Sequence, residues 1–123
     1  MAAAPRSIGY ARVSTSQQDE AAQVAALKAA GCAQVFSERI STRVPDKDRA
    51  QLQAALAALQ EGDELVVSKL DRLGRTQVEV IVRLNDLQQQ GVHVRTLDGL
   101  INTRALGKMA PLVVGLLTGL AEV

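Results

Sequence analysis

Aromatic side chains are almost missing from this chain: among 123 residues there is one Tyr, one Phe and no Trp. A core must therefore be built from Ala, Val, Leu and Ile, as helices packed on a sheet provide. There is one cysteine, Cys32, which excludes a disulfide framework and a multi-cysteine metal site. Net charge of one sign is lacking too: 14 Lys and Arg against 13 Asp and Glu leave +1, which excludes a free-standing basic nucleic-acid binder. The longest apolar run, Met109 to Leu120, is too short to span a bilayer. Met1-Ala2-Ala3-Ala4-Pro5-Arg6 is not followed by the apolar stretch of a signal peptide. A cytosolic protein is the expectation.

What is present fits one globular domain. Hydrophobic residues make up 47% of the chain, more than a disordered segment carries. Ten of the cations are arginines and four are lysines. The guanidinium fork suits bidentate phosphate contacts, although GC-rich codon usage explains the same skew.

Three joints organise the chain: Ala30-Gly31-Cys32, Glu61-Gly62-Asp63 and Gln90-Gly91-Val92. Each follows a helix-like stretch and precedes a short β-rich run, at 33–37, 64–68 and 92–97. A glycine just past a helix end supplies the left-handed conformation that closes it. The joints recur about every 30 residues, the size of a strand–helix–strand unit. Helical periodicity predicts helices over 19–30, 48–60 and 77–90. The fold class is therefore α/β, with a mostly parallel four- to five-stranded sheet flanked by helices in βαβαβαβ order. The segment 39–48, with Pro45, predicts an exposed loop. From Gly107 to Val123 the chain is apolar almost all round. Such a helix asks to be buried on every side, which at the end of a small domain points to a partner subunit. It stops mid-pattern without a cap, so the chain reads as cut from something longer. The expected division is a core over 1–106 and a C-terminal interface helix over 107–123.

The first strand, through Tyr10-Ala11-Arg12-Val13, runs into the hydroxyls of Ser14-Thr15-Ser16. Period-2 alternation puts Ile8, Tyr10, Arg12 and Ser14 on one face. Arg12 and Ser14 then point the same way, as a pair that could hold a phosphate oxygen and attack its phosphorus. Serines before a helix are more often caps, and these seven residues alone favour that reading. In an open α/β sheet, however, ligands bind beyond the C-terminal strand ends. Glu38 and Arg39 stand at that end of the second strand. Ser68-Lys69-Leu70-Asp71-Arg72-Leu73-Gly74-Arg75 follows the third. A solvated helix start accounts for Asp71, Arg72 and Arg75 taken singly; three arginines and a serine at one edge favour a phosphate site. His93, the lone histidine, opens the fourth strand at the opposite end, so a Ser-His triad is excluded and His93 is expected to be structural. Cys32 is expected to be a small buried side chain. No cluster has metal-ligand spacing and no glycine-rich phosphate loop is present. No cofactor or metal is expected.

Tyr10-Ala11-Arg12-Val13-Ser14-Thr15, Gln23, Asp48-Arg49, Lys69-Leu70-Asp71-Arg72-Leu73-Gly74-Arg75 and Gly107-Lys108-Met109 together resemble the catalytic domain of the small serine recombinases, the resolvase/invertase family. The resemblance covers nearly the whole chain in order. It implies a site-specific DNA recombinase in which Ser14 attacks a phosphodiester, forms a 5′-phosphoserine link and leaves a free 3′-hydroxyl. Strand exchange would follow in a synaptic tetramer, and resealing would need no ATP. By the same resemblance Arg12, Arg72 and Arg75 would bind the non-bridging phosphate oxygens, and Arg49 matches a further family arginine near the site. Asp71 would orient them or relay a proton, and Gln23 would support. DNA carrying the crossover site and further copies of the chain, joined through the C-terminal helix, are the implied partners. The implied origin is bacterial, phage or mobile-element. Two departures stand out: the family has Asp where this chain has Glu38, and its Glu-Arg pair, long helix and helix-turn-helix domain are missing from this sequence. The alternatives are a non-catalytic oligomerisation or regulatory module on the same scaffold, and a receiver-like phosphoacceptor, which would want an Asp at a central strand end.

Overall fold

The computed structural model describes residues 5–13, 17–40 and 49–121, with the side chains of 17, 18, 120 and 121 left aside. Ser14, Thr15, Ser16 and the loop 41–48, which holds Pro45 and Asp48, lie outside the described residues.

Four parallel strands form one sheet in the order β2-β1-β3-β4: β1 Ser7–Val13, β2 Gln34–Arg39, β3 Glu64–Val67 and β4 His93–Thr96. The helices between them are α1 Gln17–Ala29, α2 Ala50–Ala58 and α3 Gln77–Gln89. Two short pieces are additions to the expected order: a 3-10 turn at Leu70–Leu73 and a one-turn helix, α4, at Thr103–Leu106. Neither is long enough to show a period. A last helix, α5, runs over Ala110–Ala121.

Both faces of β1 are covered, and its alternation sorts them. Ile8 and Tyr10 join a large cluster with Leu52 and Ala55 of α2, Val80, Leu84 and Leu87 of α3, and Val114 of α5. Ala11 faces the other way, towards Leu27 of α1 and Val66. So α1 lies on one side of the sheet, and α2, α3 and α5 lie on the other. β1 and β3, neighbours in the sheet, carry the chain off in opposite directions, to β2 and to β4. The crevice between their C-terminal ends is the switch point where open α/β sheets bind ligands.

The three joints behave as read: Gly31, Gly62 and Gly91 have φ of 99°, 91° and 75°. The C-terminal helix is only partly covered within one chain. It packs on α3 through one face, with Ala110 and Val114 buried, while Leu112 and Leu116 stand 66% and 67% exposed. Within one chain α3 and α4 meet it, and part of its apolar circumference stays uncovered.

The N-terminal ends of the strands are tied by polar bonds. Asp63 accepts from the Arg6 N–H at 2.9 Å, the Arg6 guanidinium at 3.1 Å and the Gln60 N–H at 2.9 Å. Glu64 accepts from Ser7 Oγ and Arg95 Nε at 3.0 and 3.2 Å. His93 opens β4 here, its Nδ1 3.3 Å from Thr103 Oγ1; burial and the nearby Arg104 lower its pKa, against Glu64. Cys32 is partly buried against the α1-side cluster, and burial raises its thiol pKa.

Candidate functional site

Three guanidiniums gather at the C-terminal end of β1. Arg12 is 4% exposed and Arg49 0% exposed. Arg12 is carried there by β1 itself, one residue before the strand ends. Arg49 precedes α2 as its N-cap residue. Arg72 comes from the 3-10 turn that follows β3. Burial first, then the charges of Arg72 and Arg49, pull the Arg12 pKa below its ordinary value, with Tyr10 and Asp71 opposing. A buried cation is normally paired and fully hydrogen-bonded. Here the Nε atoms of Arg12 and Arg72 are buried with no hydrogen-bond partner among the described residues. Asp71 binds Arg72 Nη1 at 2.8 Å, but that carboxylate is 67% exposed, so its compensation is screened by water.

A cleft of about 400 Å³ lies beside the cluster, lined by Val13, Asp19, Ala22, Gln23 and Arg72. Gln23 Nε2 donates to the Arg12 carbonyl at 3.3 Å, which ties α1 to the end of β1. Gln23 Oε1 and Ser68 Oγ are also buried without a hydrogen-bond partner among the described residues. The unsatisfied guanidinium donors at this edge of the sheet are the groups that an anionic ligand could satisfy.

Arg75 is placed apart from this group. Its N–H donates to Glu79 Oε2 at 2.6 Å and its guanidinium lies 3.6 Å from Glu79 Oε1. That N–H bond, with the Arg75 charge and against burial, lowers the Glu79 pKa. Glu79 in turn donates its own N–H to Thr76 Oγ1 at 3.1 Å, a capping arrangement that starts α3. Arg75 and Asp71 also line an apolar groove of about 470 Å³ with Leu70, Val80, Ile81, Leu84 and Leu117 among others. Ser14, next in the chain after Val13, is outside the described residues.

Glu38 is the residue that sequence reasoning underrated. It is buried and sits opposite Arg12 in the β1–β2 register. Its Oε2 accepts from the Tyr10 hydroxyl at 2.6 Å and the Leu52 N–H at 3.1 Å, and its Oε1 from the Gln51 N–H at 3.2 Å. Burial and this bond push the Tyr10 phenol pKa well above its ordinary value. The one local signal was an acid at a strand end before a helix that lacks a capping side chain of its own.

Among the described residues no three His, Cys, Asp or Glu side chains group as a metal site, and no helix is long and apolar enough to cross a membrane.

The fold and this strand-end cluster define an α/β protein with an arginine-lined cleft at its switch point. The family model described as Resolvase, N terminal domain matches residues 7–123, and the chain belongs to that family. It is 46% identical over 97 residues to the serine recombinase gin of Escherichia phage Mu, covering 78% of this chain and 49% of that protein. It is 40% identical over 119 residues to the transposon Tn3 resolvase of Escherichia coli, covering 95% and 62%. The DNA-invertase hin of Salmonella typhimurium is 40% identical over 102 residues, covering 82% and 53%. The chain thus spans about half to three-fifths of the length of these relatives. A resolvase family site-specific recombinase from Streptococcus pneumoniae shares the fold with a TM-score of 0.65 at 22% identity, over 96% of this chain and 86% of that one.

Proposed function

We propose that this chain is the strand-cleaving part of a site-specific DNA recombinase, with Ser14 as nucleophile. The observation that carries the reading is the buried Arg12 beside the half-buried Arg72, both with a buried Nε that has no hydrogen-bond partner among the described residues, next to the charge of Arg49. Such a cluster is costly without an anion and strongly favourable around one. A DNA phosphodiester is an anion of suitable charge, and relatives named as recombinases, resolvases and invertases supply the class of reaction.

In this mechanism the Ser14 oxygen bonds to phosphorus and loses its proton. The bond from phosphorus to the 3′ oxygen breaks, and that oxygen takes up a proton. The product is a 5′-phosphoserine ester and a free 3′-hydroxyl. Arg12, Arg49 and Arg72 would stabilise the extra charge on the non-bridging oxygens as the pentavalent state forms. Arg75 would join them only by leaving Glu79, so closing on DNA would bring it in. Asp71 would hold Arg72 in orientation, and Gln23 would steady the end of β1. The ester conserves the energy of the broken bond, so the reverse attack reseals DNA without a high-energy cofactor. Further copies of the chain, meeting through α5, would bring two DNA sites together.

The test uses the full-length protein and a nicked suicide substrate carrying its crossover site. A covalent protein–DNA band joined through a 5′-phosphate, lost in Ser14→Ala, is the expected result. A band that survives the substitution removes Ser14 as nucleophile. Site binding without any band would instead favour a non-catalytic module.

A further inference from the structure

We propose that Glu38 is a positioning residue whose carboxylate fixes where Arg49 presents its charge, and that it is not the proton acceptor of the site. The proposal rests on the reading of the arginine cluster as a phosphate site only for its effect on activity; the clasp itself stands on geometry.

A helix begins with N–H groups that have no partner inside it, usually capped by the side chain just before the first turn. In α2 that residue is Arg49, and its side chain makes no capping bond. Glu38 caps the helix from another strand: the N–H groups of Gln51 and Leu52, the second and third residues of α2, donate to its two oxygens. A carboxylate there also meets the positive end of the helix dipole. The Tyr10 hydroxyl, reaching from β1 at 2.6 Å, locks the same carboxylate from the sheet side. One side chain of β2 thus joins β1 to the first turn of α2.

Arg49 lies at that junction. Its carbonyl accepts the first helical bond of α2, from Gln53 at 3.0 Å, and its guanidinium charge is felt at both Tyr10 and Arg12. If the start of α2 moves, Arg49 moves with it. Three protein donors already occupy the roughly four lone-pair sites of the Glu38 carboxylate. A general base needs an oxygen facing the proton it removes, and here both face inwards on the fold.

The length of the side chain matters to this role. Aspartate at position 38 keeps the charge but is shorter by one methylene, so it can hold Tyr10 and both amides together only if α2 closes in on the sheet. Glutamine keeps the length but turns an N–H₂ towards donors.

The test compares wild type with Glu38→Gln, Glu38→Asp and Tyr10→Phe, first without DNA. Amide exchange at Gln51 and Leu52, the Arg49 Nε–H resonance and binding of inorganic phosphate are followed by NMR. Glu38→Gln should speed exchange of both amides by about tenfold or more, the factor that one lost hydrogen bond carries. It should also shift the Arg49 resonance and weaken phosphate binding. Glu38→Asp should restore part of each effect, and Tyr10→Phe should move them in the same direction by less. In the full-length protein, DNA cleavage should slow while the shape of its pH profile is kept.

Unchanged amide exchange and an unmoved Arg49 resonance in Glu38→Gln would overturn the proposal. So would loss of the acid limb of the cleavage profile with exchange unchanged, which would make Glu38 the base. Should Glu38→Gln fail to fold, Tyr10→Phe alone decides: exchange at Leu52 unaltered there overturns the clasp. Phosphate that fails to bind wild type would instead defeat the phosphate-site reading, with the exchange data still supporting the clasp.

Discussion

Arg12 and Arg72 repel each other across the end of β1: the charge of Arg72 is, after burial, the largest influence lowering the Arg12 pKa. Two like charges held together without enough acid between them cost stability, and a neutral side chain of similar volume at such a place is often tolerated or stabilising. Arg12→Met should therefore leave the unliganded protein as stable as wild type or more so. Sulfate or phosphate at constant ionic strength should raise the melting temperature of wild type and do so far less in Arg12→Met. A ligand at 100 times its dissociation constant contributes about 2.7 kcal/mol, easily read in a thermal melt. Equal anion stabilisation of the two proteins would place the anion elsewhere.

Gly31 and Gly91 offer a matched pair. Both have positive φ, at 99° and 75°, but a Cβ on Gly31 would meet nothing within 4 Å while one on Gly91 would stand 2.7 Å from Glu61 Cγ. Alanine at either position carries the left-handed cost of about 1–2 kcal/mol. Only Gly91→Ala must also displace Glu61. Urea melts should rank Gly91→Ala as the more destabilised, and adding Glu61→Ala should bring it back towards Gly31→Ala. The same loss in both single variants, unmoved by Glu61→Ala, would mean that the contact is relieved without cost.

These glycines, the strands and the long helices were legible because each leaves a local mark: a period of 2 or 3.6, or a residue fit for positive φ. The Leu70–Leu73 turn and α4 were not, since four residues hold no period. The contrast between Arg72 and Arg75 was hidden for another reason. Both stand in one short motif, yet Glu79 takes up the N–H and guanidinium of Arg75; the helix expected over 77–90 marks where α3 starts, but not that Glu79 in its first turn reaches back to Arg75. Glu38 was harder still, because its three donors lie 28, 13 and 14 residues away. What the sequence marks is which residue types are present; which of them share a bond is decided by the register of β1 on β2.

Asp63 anchors the far end of the sheet. Burial works against its charge, but the N–H groups of Arg6 and Gln60 and the Arg6 guanidinium outweigh it, so its pKa is lowered. A carboxylate whose folded pKa is depressed stabilises the protein above its unfolded value, near 3.9 for Asp, and loses that contribution as pH falls through the folded value. Asp63→Asn should cost about 1.5–3 kcal/mol at pH 7, the range for hydrogen bonds to a charged group. The difference from wild type should shrink as pH drops below about 4. Denaturant melts at pH 7 and pH 3 that give the same difference would show that the amide replaces the bonds and that charge contributes nothing.

α5 leaves Leu112 and Leu116 on its outer face with Met109, which is itself 55% exposed, while Ala110 and Val114 hold it to the core. Leu112 and Leu116 lie one turn apart on one side of the helix. Burying both leucine side chains against a second copy would contribute roughly 1.5–3 kcal/mol each, repeated in the partner if the contact is symmetric. Sedimentation of the protein should show concentration-dependent association, abolished by Leu112→Glu with Leu116→Glu. The double variant should keep its melting temperature at low concentration, since neither side chain contributes to the single-chain core. A monomer at every concentration in wild type would leave the apolar face without a second copy as its partner. A fall in the melting temperature of the dilute double variant would mean instead that these leucines support the fold of one chain.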